Sequence, residues 1–173
     1  MSFYESLQAQ TQAERDYLLG APIIQQAMTG QVALHSYIAF LTEAYHHVKH
    51  TVPLLMACGA RLPERLEWLR EAIAEYIEEE TGHQEWVLND IAACGADKEA
   101  VRHGTPHMAT ELMVAYVYDR IARHNPVGFF GMVNVLEGTS IALATQAAGI
   151  IQDKLQLPNK AFSYLNSHGS LDL

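Results

Sequence analysis

Four stretches of this chain carry carboxylates and imidazoles at spacings that could hold a metal. The first is Glu43-Ala-Tyr-His46-His47-Val-Lys-His50 and the second is Glu79-Glu80-Thr-Gly-His83. The third is Glu137, alone in an apolar stretch, and the last is His168-Gly-Ser-Leu-Asp172. A helix advances about 100° per residue. Glu43, His46, His47 and His50 therefore share one face. Glu80 and His83 have the Glu-x-x-His spacing that di-iron helical bundles use. His168 and Asp172 stand four apart, again on one face. Oxygen and imidazole ligands arriving from several helices suit a pair of iron or manganese ions.

Each segment also has a plainer reading. The histidines after Glu43 suit a solvated face with one or two structural imidazoles. Glu78-Glu79-Glu80 suits an acidic, solvated turn, with Glu79 as an alternative partner for His83. Glu137 is harder to explain away. Between His124 and Asp153 it is the only Asp, Glu, Lys or Arg, and a carboxylate among apolar neighbours is costly unless compensated or protonated. With no local Lys or Arg, a metal cation is its natural partner. His168 and Asp172 also fit a pairing in which the Asp accepts a hydrogen bond from a metal-ligating His. His35, His103, His107 and His124 receive no role, and Tyr37, Tyr45, Phe40 and the methionines read as core.

These groups need helices to position them, and the periodicity is helical almost throughout. A first helix is expected from Tyr4 to Leu19, ended by Gly20, and a short one from Pro22 to Met28. A long helix follows from about Val32 to Met56, with Pro53 kinking its last turns. Cys58 to Pro63 reads as a break. The next helix runs towards Cys94, with Gly82 inside it. A polar connection lasts to Pro106 and holds about one turn. Helices over Met108–His124 and Pro126–Leu155 come next, and Pro158 opens a final segment. Residues 1–173 read as a single all-α domain.

The 173 residues are 49% hydrophobic and 18% charged, ordinary for a globular protein, with a net charge of -9. That charge argues against nucleic-acid partners and against simple attachment to anionic lipid. Cys58 and Cys94 are too few for a disulfide framework and read as buried thiols in a reducing cytoplasm. No signal peptide is evident at Ser2-Phe-Tyr-Glu-Ser. The apolar run from Val127 to Ile151, interrupted by Asn134, Glu137 and Gln146, suits a core helix better than a membrane span.

Over most of its length the chain resembles the haem-oxygenase-like di-iron oxidases, relatives of the TenA, PqqC and CADD-like proteins. The resemblance starts at Pro22-Ile-Ile-Gln-Gln-Ala-Met-Thr-Gly and passes through Tyr37-Ile-Ala-Phe-Leu-Thr-Glu-Ala-Tyr-His-His-Val. It continues through Glu79-Glu80-Thr-Gly-His83 and Glu137 to Tyr164-Leu-Asn-Ser-His168-Gly-Ser-Leu-Asp172. It implies a bundle of about seven helices, a homodimer, and metal ligands at Glu43, Glu80, His83 and Glu137. His168 and Asp172 match the first two members of a final His-x-x-x-Asp-x-x-His motif. Its closing His would fall two residues past Leu173, so the last helix is expected to be cut short. The implied chemistry is O2 activation by two ferrous ions per chain, with manganese as an alternative metal. The substrate would be a small acyl, amino-acid or aromatic compound, and the segment around Phe129, Phe130, Met132 and Leu136 would line its cavity.

Three other readings compete. A ferritin-like carboxylate protein has the right units in the wrong order, because both Glu-x-x-His units fall on consecutive long helices. A metal-free TenA- or PqqC-like enzyme would bind a small heterocycle, the TenA type needing a catalytic Cys in its pocket. A non-catalytic helical binding protein with a decayed site is the third.

Overall fold

The computed structural model describes residues 2–169, with 140–142, 168 and 169 described as backbone only. Asp172 lies outside the described residues, as does the side chain of His168.

The expected all-α architecture is present, in eleven α-helical segments among the described residues. They are α1 (Phe3–Gln10), α2 (Gln12–Leu19), α3 (Pro22–Met28), α4 (Leu34–Val48), α5 (Thr51–Arg61), α6 (Glu67–Glu80), α7 (His83–Ala93), α8 (Lys98–Arg102), α9 (Met108–Arg123), α10 (Phe129–Leu155) and α11 (Ser163–Gly169). The count exceeds seven chiefly because three expected rods are broken, at Thr11, at Lys49–His50 and at Thr81–Gly82. The short α8 is the turn expected in the polar connection. Asp97 caps it by accepting from the Glu99 and Ala100 amides at 2.9 and 3.1 Å.

The second break corrects the reading of Pro53. A proline ring inside a helix collides with the carbonyl four residues earlier and removes an amide donor. Here the helix interrupts at Lys49–His50 and restarts at Thr51, so Pro53 falls in the first turn of α5, where a missing N–H costs nothing. Helix α5 then continues through Cys58 and Gly59 to Arg61, where a break was expected. Gly59 is there for packing. A Cβ on it would meet Ile73 Cγ2 of α6 at 3.4 Å. Arg70 of α6 donates to the Gly59 and Leu62 carbonyls at 3.0 and 2.7 Å, satisfying the end of α5 with a cation.

Two apolar cores result. One joins α4, α7, the second half of α10 and α11 through Leu41, Leu88, Ile91, Ala148 and Leu165. The other joins α5, α6, α9 and the start of α10 through Leu55, Cys58, Ile73, Ile121 and Phe129. The buried face of α4 runs Tyr37, Leu41, Ala44, Tyr45 and Val48, a helical stripe of the kind expected. Tyr37 stacks on Phe162 with centroids 5.3 Å apart and donates its hydroxyl to the Ala161 carbonyl at 2.8 Å. Phe40, expected in the core, is 41% exposed, and Met56 and Met108 are more exposed still. No single described helix is long and apolar enough to cross a membrane; Pro126–Thr139 and Leu143–Leu155 meet that test only together, bent by 46°.

The end of α4 carries an acid-sensitive pair. His46 is buried, and its Nδ1 accepts from Lys49 Nζ at 3.3 Å. Burial holds His46 below the usual imidazole range, with Lys49 adding to the effect, and burial, Lys49 and His46 do the same to His50. Both rings are neutral in the fold and take up protons more readily in the unfolded chain. Stability is then fully present above the ordinary value of 6.5 and declines as pH falls below it towards the lower folded values. His46→Gln is expected to flatten the slope of stability against pH between pH 7 and 5, as measured by urea denaturation. An unchanged slope would remove His46 as a cause.

Candidate metal centre

The site begins at the junction of α6 and α7. Gly82 adopts φ 100°, a left-handed conformation, so α6 ends at Glu80 and α7 starts at His83. Sequence periodicity places Gly82 inside one helix; the structure makes it a hinge. Of the three consecutive glutamates, Glu78 and Glu79 are exposed and Glu80 is buried. Burial thus decides between Glu79 and Glu80. Glu80 Oε2 lies 2.9 Å from His83 Nδ1, and the His83 ring packs on Trp86 with centroids 4.1 Å apart.

Glu137 enters from α10. Tyr76, four residues before Glu80 on α6, donates its hydroxyl to Glu137 Oε1. Burial pushes the Glu137 carboxyl above the usual carboxylate range. The Tyr76 hydrogen bond opposes this, the Glu80 charge adds to it, and His83 works against it. Tyr164 of α11 completes the group. Burial drives its phenol far up, and the Glu137 and Glu80 charges push it further. Tyr76 and Tyr164 were not singled out from sequence, where a tyrosine at helical spacing reads as core. The available signal was position, since each stands four residues before a candidate ligand, Glu80 and His168.

Glu80, Glu137, Tyr164 and His47 line one cavity of about 290 Å³. Its other walls are apolar, among them Leu18, Ile24, Phe40, Val117 and Leu136, drawn from α2, α3, α4, α9 and α10. Phe129, Met132 and Leu136 line it as expected; Phe130 is not among the lining residues. The described lining contains no Lys or Arg, so two carboxylates face an apolar space without a cationic side chain. His47 Nδ1 donates to the Glu43 carbonyl at 3.2 Å.

Glu43 goes elsewhere. Its carboxylate accepts from the His107 amide at 3.1 and 3.2 Å and from Thr110 Oγ1 at 2.5 Å, at the start of α9. The structure places Glu80 against His83, sets Glu137 near enough for their charges to act on its carboxyl, and directs Glu43 to α9. His50 Nδ1 pairs with the Tyr118 hydroxyl at 3.1 Å, away from the carboxylates. Among the described residues, no three or more His, Cys, Asp or Glu are arranged to hold a metal ion. The donor chemistry nevertheless suits iron: two carboxylates and an imidazole, with the charge of one carboxylate raising the other. Cys58 and Cys94 are both free and buried, neither lines the cavity, and burial pushes the Cys94 thiol up to about 11.

The fold is all-helical, with carboxylates and an imidazole lining an apolar cavity. The chain belongs to a family described as iron-containing redox enzymes, whose profile matches residues 38–173. Its fold is haem-oxygenase-like. The crystal structure of a domain of unknown function with that fold, from Shewanella denitrificans OS217, superposes with a TM-score of 0.84 at 26% identity. The match covers 99% of this chain and 74% of that one. No curated protein matches.

Proposed function

We propose that this protein is a non-haem di-iron oxidase or oxygenase acting on a small apolar acyl, amino-acid or aromatic substrate. The observation that carries the reading is the pair of carboxylates, Glu80 and Glu137, lining an apolar cavity whose described lining has no Lys or Arg, with His83 against Glu80. Glu80, His83 and Glu137 would hold iron, with His168 and Asp172 as further ligands; Glu43 would join them only by leaving His107 and Thr110. Bound ferrous iron would supply the electrons that reduce O2; manganese takes the same donors. The chain's own part is positional. Leu136, Phe129 and Met132 bind the apolar body of the substrate and exclude water. Tyr76 orients the Glu137 carboxylate and keeps its hydroxyl proton on the phenolic oxygen, because burial and the neighbouring carboxylate both disfavour its loss. A cytoplasmic homodimer is the assembly that this reading carries with it.

A second reading has two observations in its favour. Glu43 is fully engaged by the start of α9, and no described group is arranged for a metal, which suits a helical binding protein. A TenA-type thiol enzyme has less behind it, because neither cysteine lines the cavity.

Anaerobic titration with ferrous ion, followed by metal analysis and admission of O2, separates the two readings. The di-iron reading expects about two ions per chain and a transient absorbance on oxygenation. A folded protein that retains well under one ion and shows no optical change leaves the binding-protein reading.

A further inference from the structure

The first core contains a charged side chain that the candidate centre does not use. Asp90 of α7 is completely buried. Among the described residues no Lys, Arg or His makes an ion pair with it. Both of its oxygens are committed to the start of α11, where the Ser163 hydroxyl adds to the two backbone amides. Oδ1 accepts from the Ser163 amide at 3.0 Å and Oδ2 from the Tyr164 amide at 2.9 Å. Those are the first two amides of α11, groups that no turn of that helix can satisfy. Burial raises the Asp90 carboxyl, and the hydrogen bonds from Tyr164 and Ser163 oppose the shift.

A buried carboxylate is a costly way to cap a helix. A Ser, Asp or Asn immediately before α11 would do it locally. That position is Phe162, which has no side-chain acceptor and is buried against Tyr37. Taking the acceptor from α7 adds something a local cap lacks: it ties two helices together. The two helices so joined both matter to the cavity. Asp90 lies seven residues after His83, within roughly 20° of it around α7. Tyr164, whose amide Asp90 holds, lines the cavity with Leu165. In sequence, His168 follows Tyr164 by one turn.

We infer that Asp90 is a positioning residue: it latches the start of α11 onto α7 and so sets where Tyr164, and the helix that carries His168, stand relative to the Glu80–His83 junction. The latch rests on geometry alone; only its effect on iron rests on the proposed function. Asp90→Asn keeps the size but presents an NH2 group to one of the two amides. Hydrogen exchange of the amides in 163–169 is expected to speed up about tenfold or more, while α4 and the rest of α7 stay as in the native protein. Ferrous affinity is expected to fall about tenfold, the scale for losing a group that orients a ligand. Exchange that is unchanged in α11, or raised equally in α4, α7 and α11, overturns the inference, since a purely structural role gives the second pattern.

The native protein supplies a test that needs no variant. Its Ser163 and Tyr164 amides are expected to exchange as slowly as those in the middle of α7, and surface-like exchange there also overturns the latch. If the native protein binds no iron, the proposed function fails while the exchange result still decides on Asp90.

Discussion

Glu137→Ala is expected to weaken ferrous-ion binding by more than the roughly 10–100-fold that follows loss of an outer partner of a ligand. The variant removes one of the two carboxylates lining the cavity and leaves the Tyr76 hydroxyl without the acceptor it has in the native fold. Glu137→Gln sharpens the test. It keeps the size and an acceptor for Tyr76 but carries no charge, so it should lose iron nearly as completely. Without metal, the same change should leave the melting temperature unchanged or raise it, because burial and the Glu80 charge both work against an ionised Glu137. Equilibrium dialysis under nitrogen measures the first effect and calorimetry the second. Native-like iron binding by Glu137→Gln would remove the Glu137 charge from the site, and a marked fall in melting temperature would make the residue structural.

Gly82→Ala is expected to cost about 1–2 kcal/mol of stability, the scale of a left-handed backbone for a residue with a Cβ. Nothing lies within 4 Å of where that Cβ would stand, so the cost is conformational and owes nothing to a clash. Gly82→Asn should then cost less than alanine, since asparagine tolerates this region better. The substitution also acts on chemistry. The chain turns at Gly82, and relief of its strain by rotation of φ would carry His83 away from Glu80. Urea denaturation and ferrous titration read the two consequences separately. Equal stability for glycine and alanine would show that φ at 82 is not a constraint.

Much of this was legible because charge is scarce where the chain is apolar. Glu137 announced itself as the one charged group of its stretch, and the structure buries most of it beside Glu80 and His83. The all-helical class followed from period, and the haem-oxygenase-like resemblance from quoted segments that the family match spans from residue 38 onward. What sequence missed depends on contacts between distant segments. The face of α4 that holds Glu43 is predictable, but its acceptor role at His107 and Thr110 depends on how the chain from 94 to 107 returns to meet α4. Tyr76 was hidden because its partner is 61 residues away. Pattern shows that Pro53 disturbs the last turns of a long helix, but not that the clash four residues upstream ends one helix and starts another. Periodicity continues across Gly82 and places it inside one helix, because a pattern of side chains says nothing about φ.

The place of Glu137 along α10 has a mechanical meaning. The first half of that helix packs into one core through Phe129 and Met132, and the second half into the other through Ala144, Ala148 and Ile151. Glu137 falls on the span between them, like the midpoint of a beam resting on two piers. An occupant that gripped this carboxylate together with Glu80 would tie the middle of α10 to the end of α6, a helix of the pier that holds Phe129. The free energy of gripping it is added to the cohesion of the whole bundle, in proportion to the logarithm of the occupant's concentration. Filling the centre and adding to the stability of the frame would then be one event.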